Sequence, residues 1–373
     1  MARVEDASFS PWASSQVDLP QPTRSFALNV ETKRSLGVYG LAALTFFSVS
    51  GGPYGMEEIV ASGGPLGALL ILCIVPWLWG WPLALITAEL GTTFPEMGGA
   101  VRWVDHAYGS FWAFSNGVWK TACNVIDEIL YPNLFIFYLQ DLTGELTYST
   151  RVGTSFGLIA FVCILNIVGV DVVSDASTVF IIMTLLPFVV MVFVGLGRGG
   201  VNPNDWAHGR EDGLPVAVGT LVTIALWKTS GYDNVGSMAS EVKDPASAFP
   251  NAMRLTIFIV TLVYVLPILV GVSYAPVYAE WVNGYLVQVA KAVADAEWLG
   301  VWVTVTGSLT SLAMLNTTIC TSSRAIQSMG ALGFFPKFLS KLHSKFKTVR
   351  VLLALRASAA SQKCDNASWL TQR

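Results

Sequence analysis

Charge is what this 373-residue chain has least of. Asp, Glu, Lys and Arg make up 13% of it, about half the ~25% of ordinary soluble domains. A water-soluble globule of this length needs more polar surface than that. Disorder is excluded as well, because its signature is low hydrophobicity with high charge, and 53% of these residues are hydrophobic. Basic residues are not in excess: 22 Lys and Arg against 25 Asp and Glu leave a net charge of −3, which gives no support to nucleic-acid binding. Histidine is scarce (His106, His208, His343) and cysteine little more common, at Cys73, Cys123, Cys163, Cys320 and Cys364. The first four cysteines sit in apolar runs without CxxC or metal-ligand spacing, so they read as small packing residues and not as a disulfide framework or metal centre. No nucleophile–base pair stands out, which argues against an enzyme. The polar, Pro- and Ser-containing stretch through Ser35 shows no cleavable signal peptide. A polytopic, all-α membrane protein is the class that survives.

Long apolar runs are what the chain does have. A spanning helix needs about 20 mostly apolar residues, and eight candidates appear at 37–62, 66–90, 109–139, 152–170, 176–197, 214–238, 253–277 and 298–322. They are continuous, not alternating as in a β-barrel. The expected organisation is therefore a tail over 1–36, a transmembrane domain over 37–322 and a basic tail over 323–373. Positive charge sets the orientation. With the N-terminus cytoplasmic, the tail residues Arg3, Arg24, Lys33 and Arg34, then Arg102, Lys243 and Arg254, and the run from Arg324 to Arg373 all fall inside. Only Arg151, Arg198, Arg210 and Lys291 fall outside, while Lys120 and Lys228 lie within spans. Both termini are expected to be cytoplasmic.

Two spans break the rules of a bilayer, which has no water to satisfy backbone groups freed by a helix break. The first reads Ser48-Val49-Ser50-Gly51-Gly52-Pro53-Tyr54-Gly55-Met56-Glu57-Glu58, and the sixth Leu226-Trp227-Lys228-Thr229-Ser230-Gly231-Tyr232-Asp233-Asn234. Glycine-mediated helix crossings are the plain alternative. Paired interruptions in corresponding positions, however, point to the binding site of a secondary transporter, and both come with intramembrane charge. The third span adds Lys120, Asn124, Asp127, Glu128 and Tyr131. Ionisable residues at that depth cost several kcal/mol and by default mark a pathway. An internal Lys120–Asp127 or Lys120–Glu128 pair that merely joins helices is the competing reading, although one lysine cannot neutralise two acids.

The run from Pro82 to Leu90 with Phe94-Pro95-Glu96-Met97-Gly98-Gly99-Ala100-Val101-Arg102-Trp103 resembles the second-span motif of the amino acid–polyamine–organocation superfamily. Gly231 to Pro250, with Glu241-Val242-Lys243-Asp244-Pro245, resembles its sixth-span motif, Ser50-Gly51-Gly52 its first-span signature, and Gly333-Phe334-Phe335-Pro336 its segment after the eighth span. Val49 to Glu58 and Val125 to Pro132 are most similar to the proton-coupled polyamine uptake permeases. The resemblance covers about residues 35–347. It implies a leucine-transporter-like inverted-repeat fold with helices 1 and 6 broken and about eight of the usual twelve spans, residence in the plasma membrane, and uptake of putrescine- or spermidine-like amines. Val351 to Leu355 is too short to cross, so a truncated product, or a surface supplied by a full-length permease partner, is expected.

A polyamine presents ammonium groups on an apolar stem. Its pocket should offer separated carboxylates, helix C-terminal carbonyls and aromatic faces. The expected substrate residues are Ser50, Gly51, Gly52, Glu57, Asp127, Glu128, Tyr131, Trp227, Gly231, Tyr232 and Asp233, with Trp227 as an aromatic gate. In an amino-acid carrier the N–H groups near Ser50 to Tyr54 would instead hold a carboxylate. Coupling to protons needs a carboxylate that changes protonation with access, and Glu57, Glu58 and Glu128 are the candidates. Asn316, Thr317 and Thr318 are placed to coordinate sodium should that be the ion. Lys228 is expected to pair with an acid such as Glu89 or Asp233, or to stand in for a cation at the ion site. No cofactor or metal is expected. The resulting reading is proton-coupled polyamine uptake, with an amino-acid permease, or a non-transporting form that assembles with a longer partner, as alternatives.

Overall fold

The structure, a computed structural model, describes residues 34–210 and 215–340. The expected N-terminal tail up to residue 33 and the basic tail beyond 340, including the short apolar run at 351–355, lie outside the described residues. Within them the chain is helical, and the single β contact is an isolated parallel bridge between Leu36 and Val242.

The first span is interrupted where glycine and proline cluster. Helix α1 runs Val38–Val49 and α2 begins at Glu57. Between them Ser50 is extended (φ −139°, ψ 142°), and Gly52 and Gly55 take φ of +89° and +75°, a region open to glycine and costly for other residues. α2 (Glu57–Val75) is itself two pieces, because Gly64 leaves helical geometry at φ 68°, ψ 174°. The outer half of the first span is thus only 57–63. Pro65, whose missing N–H costs nothing at a helix start, opens the second span. That span passes through a π-helical turn, Pro76–Gly80, into α3 (Trp81–Thr93).

Next come α4 (Ala100–Tyr108), α5 (Ser110–Thr143), α6 (Tyr148–Val168) and α7 (Val170–Gly197). The sixth span is α8 (Val218–Lys228), a break at Thr229–Gly231, and a 3₁₀ helix, Tyr232–Glu241. α9 (Pro245–Tyr274), α10 (Leu286–Ala294) and α11 (Glu297–Ala331) complete the described helices. The expected seventh span starts eight residues late, since Asp244-Pro245 opens α9 well before the apolar run. The short amphipathic helices α4 and α10 had no counterpart among the expected spans. α10 buries Leu286, Val287, Val289, Ala290 and Val293.

Among the described residues, five helical stretches are long and apolar enough to cross a membrane: Glu57–Thr93, Tyr148–Val168, Val170–Gly197, Pro245–Tyr274 and Glu297–Ala331. α5 falls outside that set although its 34 residues reach about 51 Å at 1.5 Å per residue, because Lys120, Asn124, Asp127, Glu128 and Asn133 dilute its middle. α11 occupies the centre. Its small residues, among them Gly300, Thr304, Gly307, Ser308 and Ser311, are buried and let neighbouring backbones approach closely. A Cβ on Gly307 would stand 3.0 Å from the Tyr138 ring of α5.

Candidate functional site

Both interruptions meet at one point. The Ser48 carbonyl at the end of α1 lies so near Gly231 that a Cβ there would stand 2.4 Å from its oxygen, and Gly231 has φ +108°. Beside this crossing lies a cavity of about 430 Å³. Its walls come from the first break (Ser48, Val49, Gly51, Tyr54, Gly55, Glu58), the second (Ile224, Trp227, Lys228, Ser230, Gly231, Asn234), α5 (Asp127, Leu130, Tyr131, Leu134, Phe137, Tyr138), α11 (Gly307, Thr310, Ser311, Met314), and Asn283 and Gly284 ahead of α10.

Of the residues expected from sequence, Gly51, Glu58, Asp127, Tyr131, Trp227 and Gly231 line this space. The others are elsewhere. Ser50 is fully buried within its own turn, its hydroxyl accepting from Gly52 N at 3.0 Å. Gly52 packs toward Thr184. Glu57 is 1% exposed and accepts from Gly284 N at 3.1 Å. Glu128 turns from the cavity to α11, where it accepts the Ser322 hydroxyl at 2.9 Å. Tyr232 has no exposed surface and lies against Gly80 of the π turn. Asp233 is bonded to Lys120 across a separate crevice, so neither the Lys120–Asp127 nor the Lys120–Glu128 pairing forms. The reason is geometric. Successive helical residues are about 100° apart, so adjacent carboxylates point in different directions, and here Asp127 meets the cavity while Glu128 meets α11.

Lys228 pairs with neither Glu89 nor Asp233. It donates to the Tyr54 carbonyl at 2.9 Å and sits 4.9 Å from the Trp227 ring centroid, close enough to Glu57 to interact electrostatically. Asn316 and Thr317, fully buried, face away from the cavity: Asn316 Oδ1 accepts from Asn166 of α6 at 2.9 Å. Neither lines the cavity.

Aromatic rings that sequence reasoning passed over complete the walls. Tyr54 stacks edge-on with Tyr138 and with Phe188, centroids 5.3 Å apart in each case, and donates to the Val303 carbonyl at 2.7 Å. Their signal was present as the seven-residue spacing of Tyr131 and Tyr138 on α5, but nothing in one sequence says which face of α5 is the inner one. Trp227 lines the cavity while keeping 59% of its surface exposed.

The electrostatics favour a cation. α1 and α8 both end at the breaks, so their C-terminal ends, each carrying about half a negative charge, converge there. The opposite, positive end of α2 already holds Glu57 and Glu58 in its first turn. Glu58 and Asp127 are carboxylates of the wall, and Asp127 has no ion-pair partner among the described residues. On one side the cavity is capped by the segment before α10: Asn283 donates to Glu58 at 2.6 Å and Gly284 N to Glu57. In this segment Tyr285 donates to Glu280 at 3.1 Å. Partial burial, and then that carboxylate, raise its phenol above the ordinary value. On the other side, Ser35 N and Leu36 N donate to the Glu241 carbonyl at 2.9 and 3.0 Å, and the Glu241 carboxylate grips buried Arg324 of α11.

Comparison with known proteins agrees with this architecture. The model of the amino acid permease family matches residues 36–359, twelve residues further than the resemblance read from motifs. The polyamine transporter RMV1 of Arabidopsis thaliana is 31% identical over 350 residues, covering 93% of this chain and 71% of that protein. The polyamine transporter PUT1 of Oryza sativa subsp. japonica is 34% identical over 313 residues, covering 82% and 57%. The chain therefore spans between about half and three quarters of the length of these relatives. Among solved structures, MhsT in complex with L-phenylalanine superposes with a TM-score of 0.62 at 12% identity, over 89% of this chain and 80% of that one. The fold is thus the leucine-transporter-like arrangement of a multi-pass integral membrane protein, with helices 1 and 6 broken.

Proposed function

This chain belongs to the amino acid permease family, and from that premise we propose that it carries polyamines of the putrescine and spermidine class by alternating access to the cavity between its broken helices. One observation carries the reading. The unpaired acidic group of the cavity wall, Asp127, faces the same space as Glu58, the converging carbonyl ends of α1 and α8, and the rings of Tyr131, Tyr138 and Trp227. An ammonium group gains from each of these: a charge-assisted hydrogen bond at roughly 1.5–3 kcal/mol and a cation–π contact at about 0.5–2 kcal/mol. The relatives named as polyamine transporters support the same cargo.

In this reading Asp127 anchors one ammonium, Glu58 the other, and Trp227 closes over the stem. Glu57, buried between the first break and the Asn283–Gly284 segment, carries the coupling proton. The chain resides in the plasma membrane with the N-terminal side of α1 and the C-terminal side of α11 cytoplasmic. A second reading, an amino-acid permease, has Lys228 in its favour, since a lysine in the wall would receive a carboxylate. It is disfavoured because Lys228 is already engaged by the Tyr54 carbonyl and lies beside Glu57, and because the amino end of α2 is occupied by the chain's own glutamates.

The test is equilibrium binding of radiolabelled spermidine to the purified chain, with diamines and neutral amino acids as competitors. Diamines should displace the label, and Asp127→Asn should weaken binding about ten- to a hundredfold, the equivalent of the 1.5–3 kcal/mol above. Displacement by amino acids alone would transfer the site to the second reading. Glu57→Gln should leave binding in place and remove the pH dependence of uptake.

A further inference from the structure

Next to the cavity, but separate from it, is a second polar space. It is small, about 10 Å³, and its walls include Gly98 and Val101 around the start of α4, Asn124 of α5 and Ser237 of the 3₁₀ helix. Lys120 and Asp233 face each other across it, Nζ bonded to Oδ2. Asn234 belongs to both walls, so the two spaces adjoin at this residue. The pair is not sealed in the interior: the side chains are 26% and 40% exposed, in contrast to Arg324–Glu241 at 4% and 10%.

The chemistry of this contact matches the cargo. A lysine side chain is a primary ammonium on a four-methylene stem, the same group that terminates an aliphatic diamine. A carboxylate that already holds one is complementary to the other. Lys120 also has a second place to go. It precedes Asp127 by seven residues, two turns along the same face of α5, and already interacts with it electrostatically.

We infer that Asp233 is a second ammonium-binding subsite, on the α4 side of the central cavity, in which Lys120 occupies the place that one end of an α,ω-diamine takes during its passage. The inference rests on the amine-transport reading. As the cargo moves from Asp127 to Asp233, Lys120 moves the other way, from Asp233 to Asp127. Two carboxylates and two ammonium groups trade partners, and neither acid is left as an unpaired charge away from water, the arrangement that costs most.

Purified full chain in lipid nanodiscs tests this, with radiolabelled putrescine for binding and n-butylammonium, one lysine stem in length, for thermal shift. Lys120→Ala should bind putrescine about tenfold more tightly than the unaltered protein, or ~1.4 kcal/mol, because Asp233 has lost its resident competitor. Butylammonium should raise the melting temperature of K120A and not that of K120A/D233N, and Lys120→Arg should bind as the unaltered chain does. A K120A protein that folds only in butylammonium would support the subsite equally. If K120A binds no tighter, or if the double variant keeps the gain, or if K120A fails to fold and butylammonium does not restore it, the pair is a structural tie and the subsite is wrong. An unaltered protein that binds no putrescine overturns the amine reading and this inference with it. One that binds putrescine while K120A is unchanged overturns the subsite alone.

Discussion

Gly231 shows how much a single residue can decide. It combines φ +108° with a close approach to the Ser48 carbonyl, where a Cβ would lie 2.4 Å from the oxygen. An L side chain there is strained by about 1–3 kcal/mol from its backbone conformation alone, and the backbone oxygen it meets cannot rotate away. Gly231→Ala should therefore separate the two interruptions. The expected result is a protein that melts several degrees lower and loses spermidine binding, checked by thermal unfolding alongside the binding assay. Unchanged binding would mean that the crossing does not set the cavity. At this scale sequence was least informative about direction. Glu57 and Glu58, like Asp127 and Glu128, are neighbours of the same chemistry, and only their rotation about the helix separates wall from packing: Glu58 and Asp127 face the cavity, Glu57 meets Gly284 N and Glu128 meets Ser322. Tyr232 and Asp233 lie off the central cavity for a related reason. The segment after the second break is a tight 3₁₀ turn, and spacing reckoned at 3.6 residues does not hold at three residues per turn.

Among the elements, the segment that precedes α10 depends on two glutamates in the first turn of α2. Gly284 N and the Asn283 amide both donate to them, while α10 itself is held by buried Leu286, Val287, Val289, Ala290 and Val293. Removing one acceptor should loosen the segment and spare the helix. In Glu57→Ala, hydrogen–deuterium exchange should rise across residues 278–285 and stay low at 289–293. Equal exchange in both variants would show that apolar packing alone holds the cap. The interrupted helices were legible from local composition, because glycine and proline supply backbone conformations whatever surrounds them. The turn at Gly64 falls between the expected spans 37–62 and 66–90, but the sequence carried no mark of the residue it meets: the carbonyl carbon of Gly209 would lie 2.4 Å from an added Cβ.

For the molecule as a whole, the proposed orientation rests on the distribution of Lys and Arg, and it can be checked directly. A cysteine introduced at Asn204, in the loop between α7 and α8, should react with a membrane-impermeant maleimide on intact cells. One introduced at Lys337, after α11, should react only once the membrane is opened. The reverse pattern would invert the topology and make the Asn283–Gly284 cap the cytoplasmic one. The two ends of the cavity are held by unlike means. The cap uses single hydrogen bonds to exposed or half-exposed loop residues, and the opposite end uses the buried Arg324–Glu241 pair with the Leu36–Val242 bridge. Breaking one partner of a buried pair costs about 3–5 kcal/mol, against roughly 1.5–3 kcal/mol for one hydrogen bond to a charged group, so the single contact whose loss costs most lies at the Arg324–Glu241 end.

Class and interruptions were determined by the sequence alone. Scarce charge and long apolar runs exclude a soluble globule through the energetics of water and hydrocarbon, and the clusters at Ser50–Gly55 and Thr229–Gly231 weaken a helix locally whatever surrounds them. These are local or additive properties, so one chain read in order suffices. The walls of the cavity were decided only in three dimensions. Which acid faces inward, that Lys120 meets Asp233 across 113 residues, and that Tyr54 and Tyr138 share a wall depend on helix rotation and on contacts between distant segments, and neither is written in the order of the residues.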